Sequence, residues 1–126
     1  MYSDTRRRKN SLRQPGHNYH RPGTVFVTID TWCRQELFGS IVDGNLQPTP
    51  GGAMVIQRWG EIPHQFPNAT LDAFVLMPDH LHGIVTTTAD GHPQPSIGKI
   101  VRWFKAATHA SWRVGVRRHG WPPQDG

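Results

Sequence analysis

Residues Thr24 to Thr31 form a dense run of β-branched and apolar positions, Thr-Val-Phe-Val-Thr-Ile-Asp-Thr. Such a run predicts a core strand. Leu37 to Gln47 encloses Asp43-Gly44, a pair that favours a tight hairpin turn, so a small β-ribbon is expected there. Thr49-Pro50 is a helix start: a capping residue, then proline at the first helical position. Met54, Val55, Trp59 and Ile62 follow at helical spacing, and Pro63 should end a helix over about 50–61. Leu71–Met77 predicts a second core strand, Pro78-Asp79 a turn, and His80–Thr88 a third strand. After a loop at 89–95, Ser96 can cap a helix over about 97–115. Its apolar stripe is Ile97, Ile100, Val101, Phe104, Ala107 and Val114. Arg102, Lys105, His109 and Arg113 share another face of it.

The order β, ribbon, α, β, β, α predicts an α+β fold of the ferredoxin-like sandwich class, an antiparallel sheet with two helices on one face. One more strand would complete that arrangement. A chain of 126 residues suits one domain. Residues 1–23 read as a basic arm, because they hold Arg6, Arg7, Arg8 and Lys9 but few aliphatics to bury. Residues 24–126 read as the folded domain.

Charge is segregated along the chain. The arm carries Arg6, Arg7, Arg8, Lys9, Arg13 and Arg21 against Asp4, and residues 96–126 carry six Lys or Arg against Asp125. The middle has Arg34 and Arg58 against seven acidic residues. Cationic ends around an acidic middle suit a polyanionic partner. The single cysteine, Cys33, excludes an internal disulfide and a four-cysteine zinc site. No apolar run approaches the roughly 18 residues that span a bilayer, and the N-terminus lacks an apolar signal core. The expected compartment is the cytoplasm, with no membrane partner. No glycine-rich phosphate loop supports nucleotide hydrolysis.

His80 and His82 carry the candidate chemistry. Two residues apart on a helix they would diverge by about 200°. On a strand they project from one face, where two imidazoles can converge on one divalent ion. The bland alternative is ordinary polar surface on an open sheet. Gly83, inside the strand, marks close approach of another chain or ligand. Two histidine ligands leave coordination positions open, which suits a catalytic ion more than a structural one. Such an ion can neutralise phosphate oxygens at a scissile phosphodiester.

These residues resemble the REP-associated tyrosine transposases and their insertion-sequence relatives in the HUH nuclease superfamily, named for His-hydrophobic-His. The signature is Val75-Leu76-Met77-Pro78-Asp79-His80-Leu81-His82-Gly83-Ile84, with Ile97-Gly98-Lys99-Ile100-Val101 and Phe104-Lys105 on the following helix. Arg6 through Arg13, Tyr19, Pro22-Gly23, Phe26–Ile29, Leu37-Phe38-Gly39, Ile62-Pro63 and Phe66-Pro67-Asn68 agree more weakly. The resemblance implies a ferredoxin-like fold, a homodimer, and single-stranded DNA with a hairpin as substrate. It implies that His80 and His82 hold Mg²⁺ or Mn²⁺, and that a tyrosine on a later helix forms a 5′-phosphotyrosine. Arg102 and Lys105 sit where a helix meets the DNA backbone, and Arg6, Arg7 and Arg8 can follow phosphates without sequence specificity.

The family continues past a tryptophan like Trp121 into another strand and the tyrosine helix. Here Gly126 follows soon after, and the tyrosines are Tyr2 and Tyr19. The expectation is therefore a family member cut short, with a bare sheet edge and absent or weak strand transfer. Two other readings use the same residues: a non-catalytic binder of DNA hairpins, and a small metal-dependent hydrolase with water as nucleophile.

Overall fold

The computed structural model describes residues 2–3, 23–88 and 97–123. The expectations for Arg6, Arg7, Arg8, Tyr19, the 89–95 loop and Ser96 lie outside these residues.

The elements are β1 (Tyr2–Ser3), β2 (Gly23–Asp30), β3 (Gly39–Val42), β4 (Asn45–Pro48), α1 (Pro50–Gly60), α2 (Ile62–Gln65), β5 (Ala69–Met77), β6 (His80–Thr87) and α3 (Ile97–His119). A short 3-10 turn, Trp32–Arg34, follows β2. The main sheet is antiparallel in the order β1-β2-β6-β5, and β3 and β4 form a separate ribbon. With α1 and α3 packed on one sheet face, the fold is an α+β sandwich of the ferredoxin-like class.

On the outer side of β2, β1 pairs with only the last two residues, Tyr2 opposite Asp30 and Ser3 opposite Ile29, and among the described residues the stretch 23–28 has no strand partner there. The stretch read as an arm thus contributes a strand to the domain. A two-residue strand has no periodicity to read; only its pairing defines it.

Burial along β2 and β6 explains the layering. Val27, Ile29, Leu81 and Val85 face the helices and are buried with Val55, Trp59, Ile100, Phe104 and Trp112. Each fully buried large aliphatic side chain contributes about 1.5–3 kcal/mol. The alternate positions of these strands, and Val75 of β5 opposite His82, face the other side, where Phe26 and Val75 are 64% and 51% exposed.

Local signals hold where they are short-range. In the ribbon turn both Asp43 and Gly44 have positive φ, 51° and 79°, as a two-residue primed turn requires. Thr49 caps α1 by accepting the Gly52 N–H at 3.0 Å, and its hydroxyl donates to the Leu37 carbonyl at 2.8 Å. The cap therefore also ties the helix to the preceding chain. Pro63 does not end the helix. The break falls at Glu61, whose N–H turns back to the Arg58 carbonyl at 3.1 Å, and Pro63 sits in the first turn of α2, where no N–H is needed.

The last helix runs four residues beyond the expected 115, to His119. Its buried face is Ile97, Ile100, Phe104, Thr108, Trp112 and Gly115, while Val114, expected in the apolar stripe, is 39% exposed. The segment after α3 folds back over it. The Trp121 ring covers Gly115, where any side chain would overlap it, and the Trp112 indole N–H donates to the Pro122 carbonyl at 2.8 Å. Trp103 packs edge-on against Phe66, so both helix tryptophans serve the core. Among the described residues, no helix is long and apolar enough to cross a membrane.

Candidate functional site

A two-residue turn, Pro78-Asp79, joins β5 to β6 and is closed by the Met77–His80 pair. The connector after β2 pins it. Thr31 donates its backbone N–H to the Asp79 carbonyl at 2.9 Å, and its hydroxyl, which donates to the Gln35 carbonyl at 2.6 Å, lies 3.1 Å from the same Asp79 oxygen. The Phe38 N–H donates to the Pro78 carbonyl at 2.9 Å. The start of β6 is therefore held from outside its own hairpin.

His80 pairs across the sheet with Asp30 on β2, and His82 pairs with Thr28. Cross-strand partners lie on the same face, so His80, His82, Asp30 and Thr28 share the face away from the helices, where His82 is exposed and Thr28 and Asp30 are buried. The imidazole centroids are 4.6 Å apart with planes at 79°. The spacing that sequence alone proposed thus brings the two rings together.

Each ring has its Nδ1 against a protein oxygen. His82 Nδ1 lies 3.2 Å from Thr28 Oγ1, and His80 Nδ1 lies 2.6 Å from Asp79 Oδ1. An ionised carboxylate only accepts, so a neutral His80 donates from Nδ1 and keeps its lone pair on Nε2. A metal-binding histidine commonly donates its second N–H to a carboxylate in this way.

Asp79 is held from its other side. Arg34 Nε donates to Asp79 Oδ2 at 3.0 Å, and Arg34 Nη1 lies 3.4 Å from Oδ1 of Asp30, whose side chain is 1% exposed. Burial pushes the Asp79 carboxyl up, but hydrogen bonds from His80 and Arg34, with the charge on each, more than offset this and hold it below the ordinary value. Cys33 and Arg34 both adopt left-handed backbone, φ 53° and 56°, which is costly for residues with a Cβ. This bend carries Arg34 back over the turn.

Gly83 does mark a close approach, but of the protein's own core. A Cβ there would overlap the Trp59 indole, which stacks on Phe74 and meets Phe104 edge-on.

No family model matches the chain. It is 34% identical over 122 residues to an uncharacterized protein of Haemophilus influenzae, covering 82% of this chain and 67% of that one. The chain belongs to the family of that protein.

As a metal site the histidine pair is a partial donor set. Two adjacent imidazoles, one buttressed by a carboxylate, suit an open divalent-ion site completed by water or substrate. Among the described residues, no group of three or more His, Cys, Asp or Glu side chains gathers there. Asp79 is adjacent, but its two oxygens already serve His80 and Arg34.

Arg102 and Lys105 are not brought to the histidines. They lie on α3, which covers the opposite face of the sheet, with Arg102 exposed and Lys105 half-buried. Farther along α3, His109, Trp112, Arg113, Val116, Arg117 and Pro123 line a cavity of about 280 Å³. Burial, together with positive charge that includes Arg113, pushes the His109 imidazole below its ordinary pKa.

Sequence reasoning treated Asp79 first as a turn residue and gave Arg34 no role. The available signal was Asp30, an acid at the end of an otherwise apolar strand, which asks for a cation nearby. The exposed Val75, opposite His82, and the exposed Phe26 were also missed, because exposure depends on what covers the sheet.

Proposed function

We propose that this chain is a HUH-class transposase domain that binds single-stranded DNA bearing a hairpin and takes part in metal-dependent phosphodiester cleavage and strand transfer. One observation carries the reading: two imidazoles 4.6 Å apart on an open sheet face, with His80 oriented by a carboxylate. The signature Pro78-Asp79-His80-Leu81-His82 agrees with it. In this reading His80 and His82 hold Mg²⁺ or Mn²⁺. When bound, the ion supplies charge neutralisation at phosphate oxygens. The basic face of α3, Arg102 and Lys105 among it, grips the DNA backbone, and Arg6, Arg7 and Arg8 add contacts without sequence preference. A homodimer in the cytoplasm completes the proposal.

A second reading is a non-catalytic hairpin binder. Among the described residues Tyr2 is the only tyrosine, and it lies in β1, not on a helix. The deciding experiment incubates the protein with a labelled single-stranded hairpin and Mn²⁺, resolved on native and denaturing gels. A denaturation-resistant adduct or cut product supports the transposase reading. A native shift alone supports the binder, and no shift in low salt overturns both.

A further inference from the structure

Asp79 makes contacts that neither a turn residue nor a metal ligand explains. Both carboxylate oxygens are engaged, Oδ1 by His80 Nδ1 at 2.6 Å and Oδ2 by Arg34 Nε at 3.0 Å. Its carbonyl takes a further hydrogen bond from the Thr31 backbone N–H at 2.9 Å. Arg34 reaches it only through left-handed backbone at two consecutive non-glycine residues, a conformation that persists where surrounding structure enforces it. The same guanidinium stands 3.4 Å from the buried Asp30, which pairs across the sheet with His80. Residues of the β2 end, the following connector and the β5–β6 turn are thus linked to the carboxylate that bonds one histidine ring.

We infer that Asp79, clamped by Arg34, is a positioning residue that fixes His80 as the Nδ1–H tautomer and presents its Nε2 for metal binding. The inference rests on the metal-binding reading above. A neutral imidazole can carry its proton on either nitrogen. A metal needs the lone pair on the nitrogen facing it, so the wrong tautomer blocks coordination. Asp79 settles the choice because an ionised carboxylate only accepts. Arg34 settles the orientation of Asp79, since a planar guanidinium holds a carboxylate oxygen in a defined direction. It also keeps Asp79 out of the metal-binding set.

Asp79→Asn separates these roles without losing a turn-compatible residue. Asn has one oxygen. Arg34 donates to it, which turns the NH₂ toward His80 Nδ1 and forces that nitrogen to accept. The proton then moves to Nε2. Long-range ¹H–¹⁵N correlation on ¹⁵N-histidine-labelled protein should find His80 as Nδ1–H in the parent and Nε2–H in D79N. Mn²⁺ titration, followed by paramagnetic broadening of the His80 and His82 ring signals, should show affinity falling about 10- to 100-fold in D79N. Far-UV circular dichroism of each sample checks that the fold is kept. An Nε2–H His80 in the parent, or D79N binding Mn²⁺ as tightly as the parent, would overturn the inference alone. A parent protein in which Mn²⁺ broadens neither ring would overturn the metal reading and this inference with it.

Discussion

Gly83 and Trp59 share one space: the indole of α1 lies against the backbone of β6 where any other residue would place a Cβ. The contact sits next to His82, so the packing of the core and the geometry of the candidate site meet at one glycine. Trp59 has little freedom to give way, because Phe74 stacks on it at 5.1 Å and Phe104 abuts its edge at 5.5 Å.

Gly83→Ala should therefore destabilise the fold by about 1–3 kcal/mol, the usual cost of forcing a methyl group into a packed core. Urea unfolding measures it. An unchanged midpoint would mean that the indole moves freely, contrary to its packing.

His82→Ala should leave stability nearly unchanged, since the side chain is exposed, while abolishing Mn²⁺ binding. His80→Ala should abolish it too. On the hairpin gels either variant should still shift the DNA and should show no cut product or adduct. Cleavage surviving in both would remove the histidine pair from the chemistry.

Stability should fall on acidification in two windows. His109 has a lowered pKa, from burial and from positive charge that includes Arg113. The unfolded chain then takes up its proton first, so stability starts to drop as pH falls below about 6.5 and continues until the folded imidazole titrates. Asp79 has a lowered carboxyl pKa in the folded state, with burial outweighed by His80 and Arg34. Its contribution is complete above about 3.9 and disappears as pH falls through the folded value. Thermal melts across pH should find the upper window flattened in His109→Gln and the lower one flattened in D79N.

DNA binding through the basic face of α3 should weaken steeply with salt. Arg102→Ala and Lys105→Ala should each lower affinity for any hairpin sequence. Each should also reduce the slope of log affinity against log salt by about one. Filter binding at several salt concentrations tests this. Parent-like slopes in both variants would move the contact surface elsewhere.

Much of this molecule was legible before any coordinates. β-branched runs marked β2 and β6, a largely apolar run marked β5, Asp43-Gly44 marked the ribbon turn, and Thr49-Pro50 marked the start of α1. The spacing of His80 and His82 was enough to put both on one face once they lay on a strand. These features depend on backbone preference, capping and periodicity within a few residues, which is where sequence speaks directly.

The tertiary structure decided what depends on partners far along the chain. β1 is a strand only because Tyr2 and Ser3 meet Asp30 and Ile29. Pro63 begins a helix because the chain breaks at Glu61, and Gly83 answers to Trp59. Arg34 and Asp79 are 45 residues apart, and no local pattern announces their bond. Sequence by itself determined most of the elements and the histidine pair. The folded chain alone decided what stands behind that pair, because a hydrogen bond between distant residues exists only after the elements carrying them have packed.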